Sequence, residues 1–232
     1  MSAIQSRLNA VRQRIRQAEQ TYRREAGSVQ LLAVSKTRPA EDIRQAVAAG
    51  QRCFGESYIQ EALDKIGQLR DLGLEWHFIG RIQGNKTRAI AENFDWVHSI
   101  DTLRQIRRLN DQRPARLAPL KICLQIKIDD EESKSGISPG EVRGLIEAMP
   151  EYPRLALQGL MTLPAPAAQL DAQRLPFRRL RQLRDELATA GLPLTTLSMG
   201  MTDDLEAAIA EGATLVRIGT AIFGPRDYSG QT

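Results

Sequence analysis

The feature that most constrains this chain is a rhythm. Short apolar runs, rich in β-branched or aromatic residues, alternate with amphipathic stretches. The runs are "VQLLAVSK" (29–36), "RCFGES" (52–57), "EWHFIG" (75–80), "DWVHSI" (95–100), "LKICLQIKI" (120–128), "RLALQGLMT" (154–162), "LTTLSMG" (194–200) and "TLVRIG" (214–219). Helical spacing fills 40–49, 58–70, 84–93, 102–112, 139–149, 171–190 and 202–211. Eight strands separated by helices imply a parallel sheet with helical crossovers. Eight such units in about 200 residues predict an α/β protein, a closed (β/α)8 TIM barrel near the short end of its size range. An open doubly wound sheet is the alternative. It is disfavoured because no Gly-rich dinucleotide fingerprint follows the first strand.

The first 25 residues carry one apolar stripe, with Ile4, Leu8, Val11, Ile15, Ala18 and Tyr22 at steps of four and three. This predicts an extra N-terminal helix that packs on the barrel. The eighth strand ends near Gly219, so a single domain accounts for residues 1–232.

Composition narrows the class further. Hydrophobic residues are 42% and charged residues 26%, which suits a soluble globular protein with a real core. No apolar run approaches the ~18 residues of a membrane span, and the polar N-terminus holds no signal core. Cys53 and Cys123 are the only cysteines and make no disulfide framework, so a cytoplasmic location is expected. Two histidines without paired-ligand spacing argue against a zinc site. The net charge is +4, with arginines scattered at helical spacing, as in "PFRRLRQLRDE". Solvated helix faces explain them, and no nucleic-acid motif is present.

In a barrel the active face is the C-terminal end of the strands. Alternation puts Leu32, Val34 and Lys36 on one face of the first strand. If that face points inward, the Lys36 amine sits at the mouth above apolar side chains. Desolvation there favours the neutral, nucleophilic amine needed for a Schiff base. A snorkelling surface lysine is the plainer reading. Strand seven runs into "LSMGMTDDLEAAI", where Thr202 is the expected N-cap of the next helix. Ser198, Gly200 and the helix N–H groups form a natural phosphate cradle, and Gly219 and Thr220 after strand eight offer the same contacts. Arg217 lies mid-strand, facing opposite to Val216 and Ile218. Buried, it needs a fixed acceptor, either a heteroaromatic ring nitrogen or a carboxylate. An amine, a phosphate cradle and an internal arginine together describe a pyridoxal 5′-phosphate (PLP) site.

The chain resembles the pyridoxal-phosphate homeostasis protein family, single barrels related to the N-terminal barrel of alanine racemase. The likeness runs through "LLAVSKTRP", "FGESYIQEALDK", "WHFIGRIQGNK", "SIDT", "IDDEESKSGI", "GLMTLP", "LSMGMTDDLEAAI" and "VRIGTAIFG". The resemblance implies a monomeric barrel carrying PLP on Lys36, with a role in vitamin B6 balance and in amino- and keto-acid metabolism. It also points to Ser198, Gly200, Gly219 and Thr220 at the phosphate and to Arg217 near the ring nitrogen. Two residues depart from the family pattern. Ser57 stands where asparagine is common, near the cofactor, and Lys127 replaces an asparagine in the fifth strand.

Three readings stay open at this level. His77, inside an apolar strand, is a satisfied core histidine or a cofactor contact. The loop "IDDEESKSG" is a solvated loop or a lid, and Lys134 within it is a candidate second amine. Lys36 serves a PLP carrier that supplies apo-enzymes, a PLP-dependent amino-acid racemase, or a class I aldolase acting on a phosphosugar. An arginine partner keeps the ring nitrogen unprotonated and weakens the electron sink. Alanine racemases share that arginine, but they add a tyrosine base from a second domain of the partner subunit. Here Tyr58 begins a helix and no such domain is expected, so the carrier reading is preferred.

Overall fold

A computed structural model describes residues 2–128, 135–189 and 194–225. Its strands are β1 (Gln30–Val34), β2 (Cys53–Glu56), β3 (Glu75–Phe78), β4 (Trp96–Ile100), β5 (Leu120–Gln125), β6 (Leu155–Met161), β7 (Thr196–Ser198) and β8 (Leu215–Ile218). They pair in sequence order, all parallel, and β8 closes on β1. The closed barrel expected from the rhythm is the observed fold. The helices are α1 (Ala3–Thr21), α2 (Ala40–Ala48), α3 (Ile59–Gln68), α4 (Thr87–Asn93), α5 (Leu103–Gln112), α6 (Pro139–Glu147), α7 (Leu170–Thr189), α8 (Leu205–Ala210) and α9 (Thr220–Phe223). The short α9 has no counterpart in the sequence reading, because four residues are too few to show a helical period.

Alternation divides the core into two shells. Ala33, Phe54, Trp76, Phe78, Val97 and Ile122 face outward and meet the helices in one large apolar cluster. The inward shell is different in kind. Trp96, Cys123 and Met161 form a small apolar cluster of their own, beside wholly buried polar residues His77, His98 and Ser198. Space inside is tight. A Cβ on Gly159 would lie 1.8 Å from the Thr196 carbonyl oxygen, so β6 and β7 approach as only glycine allows.

The stripe on α1 is buried as expected, with Ile4, Leu8, Val11, Ile15 and Ala18 all in the core. Each aliphatic side chain gains roughly 1.5–3 kcal/mol by leaving water. The helix lies over α2, α8 and α9 and so covers the barrel where the chain's first and last strands meet. Arg14 holds both carboxylate oxygens of Glu206 at 2.9 Å and the Thr202 carbonyl at 3.0 Å. These bonds fasten α1 to α8 and to the loop after β7.

The helix after β7 begins later than expected. Thr202 is not its N-cap: α8 starts at Leu205 with Asp204 at the cap position. The Asp204 carboxylate instead accepts the Met201 N–H at 2.5 Å, which closes a turn and leaves Thr202 in the loop.

Candidate functional site

Lys36 follows β1 at the C-terminal end of the barrel, half-buried. Its position is fixed from behind by a buried ionic cluster. Lys65 on α3 donates to the Ser35 carbonyl at 2.7 Å, to Glu56 at 2.8 Å and to Glu61. Ser35 donates its hydroxyl to the same Glu56 oxygen at 2.6 Å. Burial pushes the Glu56 carboxyl up, while Lys65 pulls it back. Glu61 also accepts the Thr37 N–H at 2.6 Å. Thr37 has φ +62°, a left-handed conformation that costs a β-branched residue energy and turns the chain sharply past Lys36. Arg38 then donates to the carbonyls of Gly224 and Pro225 at 2.6 and 2.5 Å. The loop after β1 is thereby tied both to α3 and to the end of α9.

Lys36 opens onto a cavity of about 240 Å³ lined by Val34, Ser57, Thr202, Arg217, Gly219 and Thr220, among others. Five of the eight residues expected at the cofactor therefore meet here: Lys36, Ser57, Arg217, Gly219 and Thr220. Arg217 is 4% exposed. It donates to the Ser198 carbonyl at 2.6 Å, the Ser198 hydroxyl at 2.9 Å and the Thr162 carbonyl at 2.9 Å. These neutral oxygens replace the carboxylate that the sequence left open, and among the described residues no carboxylate forms an ion pair with it. Burial pulls the Arg217 pKa down to about 10, so the guanidinium remains charged at neutral pH. The first N–H groups of α9, from Thr220 and Ala221, have no acceptor within so short a helix. Thr220 lines the same cavity.

Three expected residues lie elsewhere. Ser198 is wholly buried beneath the cavity, where it donates to His98 and accepts from Arg217. Gly200 has φ +94°, and a Cβ there would meet Ala208 at 2.5 Å, so it serves the packing of α8 rather than the cavity wall. Thr202 lines the cavity in their place. His77 is wholly buried with both ring nitrogens hydrogen-bonded, as a core histidine would be. Lys127 is half-buried beyond β5 and is absent from the cavity lining. Lys134 lies outside the described residues.

Sequence reasoning missed a chain of hydrogen bonds through the barrel's interior. Glu75 meets His77 Nε2 at 2.9 Å, His77 Nδ1 meets His98 Nε2 at 2.9 Å, and His98 Nδ1 meets Ser198 Oγ at 2.8 Å. Burial lowers the pKa of both histidines, that of His98 strongly. Both rings are neutral, so each donates once and accepts once. One arrangement satisfies every contact. Arg217 donates to Ser198, Ser198 to His98, His98 to His77, and His77 to the Glu75 carboxylate. The signal for this was parity: "EWHFIG" and "DWVHSI" each place a histidine on the inward face.

Known proteins resemble this chain along nearly its whole length. The alanine racemase N-terminal domain family matches residues 6–227. A pyridoxal phosphate homeostasis protein from Pseudomonas aeruginosa is 56% identical and covers 98% of each chain. The chain belongs to the pyridoxal phosphate homeostasis protein family. The Escherichia coli K12 member is 53% identical over 99% of each chain. A solved structure of PipY from Synechococcus elongatus PCC7942 with PLP bound is 38% identical, with a TM-score of 0.84 over 95% of this chain and all of that one.

Proposed function

We propose that this protein binds PLP, carries it as a Schiff base on Lys36, and serves intracellular vitamin B6 balance, with effects on amino- and keto-acid metabolism. The observation that carries this reading is the meeting of Lys36, Arg217 and Thr220 around one cavity in a member of this family. When bound, PLP supplies an aldehyde, a pyridine ring and a phosphate. The Lys36 amine would take the aldehyde with loss of one water. Arg217, charged, would sit by the ring nitrogen and keep it unprotonated. Gly219 and Thr220, with the Thr202 hydroxyl, would hold the phosphate. Ser57 offers a hydroxyl where the family commonly has an amide. The chain acts as one barrel domain over residues 1–232, a cytoplasmic monomer that supplies apo-enzymes.

The carrier reading is favoured over the racemase by the full-length relatives, which are pyridoxal phosphate homeostasis proteins; Arg217 weakens the ring as an electron sink, but alanine racemases share it. Tyr58 is 53% exposed at the N-cap of α3 and shares an adjoining cavity with Lys36 and Ser57, but among the described residues no side-chain hydrogen bond orients its hydroxyl as a base. Among the described residues no helix is long and apolar enough to cross a membrane.

The test is the absorbance spectrum of the purified protein. It should show an imine band that borohydride fixes to Lys36, as located by peptide mass spectrometry, and Lys36→Ala should lack it. A band that survives Lys36→Ala would overturn the assignment. Exchange of an amino acid's α-proton with solvent would favour the racemase.

A further inference from the structure

At the end of the barrel opposite the cavity, three metal-binding side chains converge. Cys53 stands beside Glu75 in the register of β2 and β3, and His77 follows two residues on, on the same face. Cys53 Sγ lies 3.6 Å from Glu75 Oε1, which lies 2.9 Å from His77 Nε2. All three ligand atoms fall within 4.8 Å of one another. Nothing in the linear spacing of 53, 75 and 77 forms a metal motif; strand register brings them together.

We infer that Cys53, Glu75 and His77 form a divalent transition-metal site, suited to zinc, at the closed end of the barrel. Zinc bonds of about 2.0–2.3 Å to sulfur, nitrogen and oxygen in a tetrahedron place ligands roughly 3.5 Å apart, the scale of the contacts seen. A thiolate, an imidazole and a carboxylate select zinc over calcium or magnesium. The fourth position goes to water, since Cys53 is half-buried and the Glu75 side chain is 30% exposed. Gln30 donates its amide to Cys53 Sγ at 3.1 Å, and the thiol donates to Glu75 Oε1, the proton that metal binding would displace. One cation already competes. Lys121 Nζ stands 3.2 Å from the other Glu75 oxygen, and its side chain is 44% exposed, free enough to swing aside.

The metal would also speak to the far end of the barrel. In its absence His77 Nε2 carries the ring proton and donates to Glu75. Once Nε2 binds a metal, that ring keeps one proton but carries it on Nδ1. His98 must then accept at Nε2 and hold its own proton on Nδ1. Ser198 Oγ, which already accepts from Arg217, now accepts from His98 as well, and its hydroxyl hydrogen turns elsewhere. Each ring keeps one proton, and the thiol proton goes to solvent. The order of donors is thus reversed from Glu75 up to the serine that holds Arg217.

Cobalt titration of PLP-free protein tests the site, so its outcome is independent of the cofactor proposal. The wild type should develop an intense thiolate-to-cobalt band that saturates at one equivalent, and Cys53→Ser should lack it. Zinc affinity, measured against a chromophoric chelator, should fall about tenfold or more in Glu75→Gln and rise in Lys121→Met. The chain has two histidines, so nitrogen-15 spectra resolve each ring. Zinc should move the protonated nitrogen of both from Nε2 to Nδ1. Absence of the cobalt band in the wild type, or zinc affinity unchanged by Cys53→Ser, overturns the site. Unmoved tautomers under saturating zinc overturn the coupling.

Discussion

Replacing Lys65 by methionine should cost far more than a surface lysine would. The Lys65 side chain is 5% exposed and that of Glu56 is fully buried. The ammonium serves three acceptors, and the second Glu56 oxygen has no hydrogen-bond partner among the described residues. Without the amine, Glu56 is a buried carboxylate supported by the Ser35 hydroxyl alone. Breaking a buried pair from one side costs about 3–5 kcal/mol. Glu56 can relieve this by taking a proton. Burial already raises its pKa, and loss of Lys65 raises it further. A carboxyl whose folded pKa exceeds its unfolded value contributes stability at low pH that is lost as pH rises. Urea unfolding should therefore show a larger loss at about pH 8 than at about pH 5.5. Adding Glu56→Gln should recover most of the loss, because the stranded charge is gone. A cost under about 1 kcal/mol, the value of an exposed pair, would refute the reasoning. So would additive effects of the two substitutions.

Three further outcomes follow from the same geometry. Gly159→Ala should cost more than about 3 kcal/mol in urea unfolding, because its methyl meets the Thr196 backbone rather than a movable side chain. Arg217→Met should weaken PLP retention, measured by equilibrium dialysis, by about 10- to 100-fold, the loss of one charged hydrogen bond. Glu211 receives Arg174, Arg178 and Arg181 at 2.8–3.1 Å. Burial pushes its carboxyl up, but the hydrogen bonds of these arginines outweigh it and hold the pKa below the usual range. Glu211→Gln should cost about 1–2 kcal/mol at neutral pH, as the arginines are partly solvated. The difference from wild type should be full above the ordinary glutamate pKa and close as pH falls through the lowered folded value.

The barrel was legible because its order depends on short-range alternation. Every expected strand and helix appears, with ends shifted by a few residues. Lys36 was legible by parity with Leu32 and Val34. The burial of Ser198 was not legible, because a strand-end hydroxyl reads the same whether it faces the mouth or the interior; its contact with His98 on β4 shows which. The cluster of Lys65, Glu56 and Glu61 was hidden for another reason. Each residue type is ordinary on a solvated helix, and nothing local reveals that Glu56 points outward from the sheet onto α3. The arginines of α7 looked like a solvated face, whereas three of them converge on the buried Glu211 from a different helix.

The clasp of α1 across the last elements carries a consequence for how this chain is made. Arg14 and Glu206 are 192 residues apart in sequence, and β1 finds its second neighbour only in β8. During synthesis the first helix leaves the ribosome with an oily stripe whose cover does not yet exist. The closing of the ring must wait for the final segment, so contacts of the longest range come last and govern the rate. A nascent chain stalled before residue 200 holds an open sheet with two raw edges, the state most exposed to aggregation or to capture by a chaperone.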